Sequence, residues 1–378
     1  MTIHWCGTGL SAIPGLRRLI QNGHAVHVWN RTIAKAQEAV GDLTQDISEF
    51  DFDVLSDRTQ AGDVIVSMLP GDMHVQLATM AIEKGAHFVS SSYIAPEMRA
   101  LDDMAKQAGV CVVNEVGLDP GIDHLMAHHI VDLYRNSSAF DPENELSFIS
   151  YCGGIPKIPN PFRYKFSWSP VGVLRALKSP SKSIKDFKEF DVARPWDAIS
   201  SYTAPLPEPE AFEVYPNRDS LPFMAQYDFD PNWNVNTFVR GTLRLNGWTE
   251  AWTPVFREIE TLAGPEGEAR LHEMADGFWK ENSYAPSEPD RVVLCVSLKA
   301  EQAGVTKWHK TYVLDAWGDN EYTAMARLVS LPVSFAIEAV MDKKLAAGVQ
   351  AAPHDSEIVN DWLSRIGDIA QHLALVSE

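Results

Sequence analysis

Over roughly the first 120 residues, short apolar runs alternate with longer segments whose apolar positions recur every three or four residues. The runs at 2–7, "HAVHVWN" (24–30), 62–69, "AHFVSSS" (86–92) and "VCVVNEVG" (110–117) read as buried strands. Between them, "IPGLRRLIQNG", "MHVQLATMAIEKG" and "APEMRALDDMAKQAG" read as helices, and Gly23, Gly85 and Gly109 stand where a helix is expected to stop. Strand and helix in alternation predict an α/β fold, a Rossmann-type doubly wound parallel sheet. Beyond residue 120 the texture changes. "ELSFISYCGG", "FVRGTLRLNGW" and residues 290–318 read as antiparallel strands, the last a hairpin turning at Ala303–Gly304. "PVGVLRAL" and "YTAMARLVSLPVSFAIEAVMDKK" read as helices packed on them. Segments 153–163 and 203–234 read as long loops, and 354–378 as an amphipathic helix.

A chain of 378 residues is too long for one ordinary core, so two domains are expected, with a mixed α/β domain following the parallel one. The formal net charge of −19 opposes nucleic acid or an anionic membrane as partner. No uninterrupted apolar run approaches a membrane span, and the opening run carries no basic leader, so neither a span nor a targeting peptide is expected. The four cysteines, Cys6, Cys111, Cys152 and Cys295, form no CxxC pair; neither zinc nor a disulfide framework is expected, and a reducing cytoplasm fits.

Chemistry enters at Gly7, Gly9 and Ala12, a G-x-G-x-x-A between strand and helix. The first glycine permits the tight turn, the second lets backbone approach a pyrophosphate, and the helix N-terminus faces the phosphates. The second strand ends in Asn30-Arg31-Thr32, where an NAD site usually offers an acid to the ribose. Arg31 can pair with a 2′-phosphate, so NADP(H) is the preferred cofactor, with NAD(H) left open. The stretch "NEVGLDPGIDHLMAHH" holds Asp119, Asp123, His124, His128 and His129. No other His/Cys/Asp cluster supplies partners, so it is read as a strand end, a turn and a helix start, not a metal site. Asp123 suits the first turn of that helix, and His128 and His129 read as ordinary surface or interface residues. Asp119 ends a predicted strand of the parallel sheet, where such folds bind ligands.

The segments "GTGL", "SSSYIAPEM", "NEVGLDPGIDH", "SYCGG", "NPFRYKFSWSPVGVL", "YPNRDS", "VRGTLR" and "YTAMARLV" resemble, in order, the glutamate-forming saccharopine dehydrogenases, also called saccharopine reductases. The resemblance implies a dinucleotide domain at 1–121 and an α/β substrate-binding and dimerisation domain at 122–350. It further implies a helical insert reduced to about 255–290 and a segment at 351–378 returning to the first domain. The activity it implies is NADP-linked interconversion of saccharopine, a tricarboxylate secondary amine, with 2-aminoadipate 6-semialdehyde and glutamate, in a homodimer without metal. The cofactor set it implies is Gly7, Thr8, Gly9, Leu10, Asn30, Arg31, Thr32, Leu69, Pro70, Gly117, Leu118 and Asp119. The substrate set is Ser92, Tyr93, Phe166, Trp168, Arg218, Thr242, Leu243 and Arg244, and the proton-transfer candidates are Asp119, Tyr93 and Cys152.

Several of these residues have plainer readings. Arg244 shares a strand face with Arg240 and Thr242 and would then be solvated. Arg218 would be a salt-bridged turn residue, Phe166 a core aromatic and Cys152 a packed thiol. A carboxynorspermidine or lysine dehydrogenase, or a protein that only senses NADP(H), stays open as an alternative.

Overall fold

The computed structural model describes residues 1–378 and divides into two compact units, Met1–Leu125 with Ala326–Ile366, and Met126–Met325 with Gly367–Glu378. The first unit opens with β1 (Ile3–Cys6), α1 (Ile13–Gln21), β2 (Val26–Asn30), α2 (Ile33–Val40), β3 (Ile47–Glu49), α3 (Phe52–Arg58) and β4 (Val64–Ser67). It continues through α4 (His74–Glu83), β5 (His87–Ser90), α5 (Pro96–Arg99), α6 (Asp102–Ala108) and β6 (Cys111–Val113) into α7 (Ile122–Arg135). The second unit holds β7 (Glu145–Pro156), α8 (Pro170–Leu177), the hairpin β8 (Ser181–Lys185) and β9 (Lys188–Val192), β10 (Ser200–Ala204), β11 (Glu210–Pro216) and α9 (Pro222–Gln226). It goes on through β12 (Asn234–Leu245), α10 (Trp248–Thr261), α11 (Gly264–Asn282) and the hairpin β13 (Asp290–Gln302) and β14 (Val305–Trp317). The chain then supplies α12 (Ala324–Met341), β15 (Gly348–Gln350) and α13 (Ser356–Ile369) to the first unit, and ends in β16 (His372–Ser377).

All pairings in the first sheet are parallel, in the order β15-β6-β5-β4-β1-β2-β3. Its central strands are buried on both faces, which is why they read as unbroken apolar runs. Strand order reverses between β1 and β4, and at such a switch point the carboxyl ends of strands splay to leave a crevice. α1 packs closely on α12: Gly15 N donates to Ser330 Oγ at 2.9 Å, and a Cβ on Gly15 would lie 2.0 Å from the Ser330 carbonyl oxygen. Arg18 then makes two 2.9 Å hydrogen bonds to the two oxygens of Glu338 on α12.

The second sheet runs β10-β11-β12-β7-β13-β14-β16, with β8 pairing to β12; only β12–β7 is parallel. One face carries an aromatic core with α8, α10 and α11, including Tyr164, Phe166, Trp248, Trp252 and Phe256. The other face carries Phe212, Val214, Leu243, Leu245, Val293, Cys295 and Val313. The β13–β14 turn falls at Ala303–Gly304, both at positive φ, as a two-residue hairpin loop requires.

Several expectations need correction. Segment 203–234 contains β11, whose Phe212 and Val214 face the core, and α9; β7 reaches Pro156. The Pro-rich flanks hid a short alternating strand. Residues 354–378 form α13 and then β16, which pairs with β14, so the terminal residues join the second sheet. The return to the first unit begins at Ala326 rather than 351. Gly117–Asp119 is a loop past the end of β6, and Ser92-Tyr93 lies past the end of β5. Finally, Ala324–Met341 is long and apolar enough by composition to cross a bilayer, although interrupted by Arg327 and Glu338; 72% of it is buried within the protein, as in a core helix.

Candidate functional site

In the first unit the glycine loop joins β1 to α1 beside the switch point. Gly7 has φ +103, and a Cβ there would lie 2.9 Å from the Met68 carbonyl oxygen, so only glycine lets the loop turn against β4. At Gly9 a Cβ would meet nothing within 4 Å, leaving open backbone ahead of α1. Ala12 caps α1 without a side-chain hydrogen bond, and its small side chain is buried. Asn30 holds the loop to β2: Thr8 N donates to its Oδ1 at 3.1 Å, and its Nδ2 donates to the Thr32 carbonyl at 2.8 Å. The Thr8 hydroxyl is buried without a hydrogen-bond partner, as is that of Ser67 at the carboxyl end of β4. Arg31 and Thr32 are exposed just past β2, and Arg31 enters none of the ion pairs. Leu10 is exposed, and Leu69 and Pro70 follow β4 opposite Gly7.

These features suit a dinucleotide. An uncapped helix N-terminus and open glycine backbone fit a pyrophosphate, the orphaned Thr8 hydroxyl lacks a partner, and an unpaired guanidinium at the end of β2 fits a 2′-phosphate. Residues Gly7 to Leu10, Asn30 to Thr32 and Leu69-Pro70 would hold it. Sequence reasoning missed Ser67, whose signal was a lone hydroxyl closing a strand of otherwise apolar residues.

The loop after β6 brings the next set together. The Tyr93 hydroxyl donates to Asp119 Oδ1 at 2.9 Å, joining two residues 26 apart in sequence. Both are half-buried, at the carboxyl edge of the parallel sheet. Glu115, unremarked in the sequence, is buried in the left-handed region at φ 56. Its Oε2 lies 3.0 Å from His124 Nε2, and His124 Nδ1 lies 3.4 Å from Asp123 Oδ2. Asp123 does sit in the first turn of α7, but it is fully buried and also accepts from Gly121 N at 2.7 Å. His128 is buried, not at the surface, with Nδ1 3.6 Å from Asp228; His129 is half-buried and hydrogen-bonded to the Tyr312 hydroxyl. No group of three or more metal-ligating side chains converges.

In the second unit, Cys152, Thr242 and Tyr215 are laterally paired on β7, β12 and β11, and Arg244 follows Thr242 on the same face. Arg244 is buried, 6% exposed, so the solvated-strand reading fails. Its guanidinium lies 4.9 Å from the Tyr164 ring centroid, 5.5 Å from that of Trp248 and 5.7 Å from that of Tyr215. One terminal nitrogen donates to the Leu243 carbonyl at 3.1 Å, while Nε has no hydrogen-bond partner. No carboxylate of the protein pairs with it. Burial pushes the Tyr164 phenol pKa up, with Arg244 opposing, so this ring stays neutral at physiological pH. Leu243 points into the core of the opposite face, so only its backbone belongs with Arg244. Phe166 is fully buried against Tyr164 and Phe278, the core aromatic of the plainer reading. Trp168 is half-buried and donates to the Tyr164 hydroxyl at 3.3 Å. Arg218 is exposed at φ 56 in the turn after β11, and Cys152 is buried and in no disulfide.

Two family models match consecutive stretches of the chain. A family model described as "Saccharopine dehydrogenase NADP binding domain" matches residues 3–113, and "Saccharopine dehydrogenase C-terminal domain" matches 117–369. The chain is 29% identical to mouse mitochondrial alpha-aminoadipic semialdehyde synthase over 82% of its own length, spanning 40% of that relative. It is 28% identical to saccharopine dehydrogenase [NADP(+), L-glutamate-forming] of Pyricularia oryzae, covering 95% of this chain and 94% of the other. The solved structure of apo saccharopine dehydrogenase (L-Glu forming) from Saccharomyces cerevisiae matches with a TM-score of 0.79 at 27% identity, over 99% of both chains.

Proposed function

The chain belongs to the saccharopine dehydrogenase family, and from that premise we propose that it interconverts saccharopine with 2-aminoadipate 6-semialdehyde and L-glutamate, using NADP(H). The observation that carries this reading is Arg244. A buried guanidinium walled by three aromatic rings, with no carboxylate partner of its own, is costly unless an anionic ligand completes it. A tricarboxylate amine offers such a group. Thr242 and Cys152 lie beside it on the same sheet face, and Arg218 is a second cation for a carboxylate.

Bound NADP⁺ supplies the hydride acceptor. In the oxidative direction the secondary amine loses a proton and its carbon a hydride, giving an imine that water cleaves to the aldehyde and glutamate. Tyr93 and Asp119, hydrogen-bonded at the carboxyl edge of the parallel sheet, are the groups proposed to hold or move that proton. Cys152 is kept as a packed neighbour, since the reaction needs no covalent intermediate. The same proposal includes a homodimer and a reducing cytoplasm, the latter supported by four buried cysteines that form no disulfide.

The test is a panel of saccharopine, lysine and carboxynorspermidine with NADP⁺ or NAD⁺, followed by nicotinamide absorbance. Reduction with saccharopine and NADP⁺ is expected to exceed all other pairs. Equal turnover of lysine or carboxynorspermidine would move the chain to a related amine dehydrogenase, and no turnover with any amine would leave an NADP(H)-sensing protein. For Arg31→Ala, the preference for NADP⁺ over NAD⁺ in kcat/KM should fall about ten- to a hundredfold, the worth of a charge-assisted contact of about 1.5–3 kcal/mol.

A further inference from the structure

Glu115 brackets Tyr93 on both sides. Its backbone N–H donates to the Ser92 carbonyl at 3.1 Å, and its Oε1 accepts from the Ile94 N–H at 2.9 Å. The other oxygen, Oε2, meets His124 Nε2 at 3.0 Å. The His124 side chain is fully buried and that of Glu115 is 4% exposed. His124 rises from the first turn of α7, next to Asp123, whose carboxylate accepts from Gly121 N and approaches His124 Nδ1. The backbone of the same turn closes through Ile122 N to the Gly117 carbonyl at 3.0 Å and Asp123 N to the Leu118 carbonyl at 3.2 Å. These bonds tie α7 back to the loop at 117–121, which carries Asp119. One buried carboxylate–imidazole–carboxylate row therefore ties the backbone around Tyr93 to the turn that bears its hydrogen-bond partner.

Removing two ions and an imidazole from water is expensive, and an apolar trio of similar volume would often be as stabilising. A buried polar row that is fully bonded does something an apolar core does less well: it fixes one backbone geometry. We infer that Glu115 and His124 are positioning residues that set the Tyr93–Asp119 hydrogen bond, acting through Tyr93 and touching no reacting atom themselves. The inference rests on the reading above that Tyr93 and Asp119 serve the reacting amine. Glu115 sits at φ 56, where a non-glycine side chain is strained, so the loop holds a cost to bring this carboxylate to both partners.

A double-mutant cycle in the full-length enzyme tests it. Glu115→Ala frees the Ile94 N–H and lets the Tyr93 ring drift; kcat should fall about ten- to a hundredfold, the penalty for misplacement by about an ångström, with KM for NADP⁺ within about twofold. Glu115→Gln keeps an amide oxygen for Ile94 and an NH₂ for a flipped-tautomer His124, and should restore kcat to within about threefold of wild type. In a Tyr93→Phe background the Glu115→Ala change should cost less than about twofold more, because residues acting through one another are not additive. If Glu115→Ala does not fold, His124→Gln, which cuts the tie to α7 and leaves Glu115 in place, enters the same cycle with the same expectation of non-additivity. A fully additive loss with Tyr93→Phe, or a loss confined to KM for NADP⁺ with kcat intact, overturns the inference and leaves the functional reading standing. Wild-type turnover in both Tyr93→Phe and Asp119→Asn overturns the functional reading, and the positioning role with it.

Discussion

Arg244 shows how much a single side chain depends on its surroundings. On a strand whose Arg240, Thr242 and Arg244 alternate with apolar residues, the pattern alone favours a solvated cation, yet both arginines are buried beneath aromatic rings. Arg244→Lys keeps the charge but loses the planar fork and the stacking, so it should raise KM for the amine about ten- to a hundredfold with KM for NADP⁺ unchanged. Steady-state kinetics on the two substrates separate these effects; an unchanged amine KM would remove Arg244 from the binding surface. At this scale the sequence spoke clearly where geometry is local and was silent where it is not. Gly7, Gly9 and Arg31 were legible because a glycine loop and the end of its second strand lie at fixed offsets from one another. Glu115 was not, since its partners are Ile94 and His124, and nothing in the run "NEVG" reveals a left-handed turn that aims a carboxylate backward and forward at once.

Elements were legible in proportion to the regularity of their burial. The central strands β1, β4 and β6 are covered on both faces and are legible as apolar runs, whereas the three-residue edge strands β3 and β15 are too short to show a pattern, β11 alternates within a Pro-rich stretch and β16 follows a helix without a break signal. Contacts between elements lay beyond reach: that α1 would press on α12 through Gly15 required knowing that two helices over 300 residues apart are neighbours. Two glycines in and after the nucleotide loop now separate by role. Gly15→Ala places a Cβ 2.0 Å from the Ser330 carbonyl oxygen. The helices must shift, and overpacking of this kind costs about 1–3 kcal/mol, read as a lower urea midpoint. Gly9→Ala meets no atom within 4 Å and has an ordinary negative φ. Its stability should stay within about 0.5 kcal/mol of wild type, while NADP(H) affinity should fall if this open backbone receives the pyrophosphate, because a methyl would crowd it. Equal loss of stability in both variants would contradict this division.

Across the whole molecule, net charge and the siting of titratable groups set how the fold responds to acid. His4, His74 and His87 have pKa values lowered from 6.5, in each case mainly by burial; at His4 the neighbouring Asp63 carboxylate opposes the effect without reversing it. The fold therefore prefers these imidazoles neutral. The sign follows: with the folded pKa below the unfolded one, their contribution is whole above about pH 6.5 and is lost as pH falls and the unfolded chain takes up protons the fold refuses. Glu338 adds a second, more acidic window. Burial pushes its pKa up, but the hydrogen bonds and charge of Arg18, with Asn22 and His24, hold the net value below 4.5. Its contribution is present above the unfolded carboxyl value and disappears as pH drops through the depressed folded one. Urea midpoints should thus decline in two stages on acidification from about pH 8 to about pH 3.5, the first belonging to the imidazoles and the second to ion-paired carboxylates, Glu338 and Glu288 among them. Glu338→Gln should lower the unfolding free energy at neutral pH by about 1–3 kcal/mol for a lost charge-assisted pair, read as a lower midpoint, and should shrink the second stage while leaving the first unchanged. Stability that rose between about pH 8 and pH 5.5 would mean that the imidazoles are charged in the fold, against the burial that sets their pKa values.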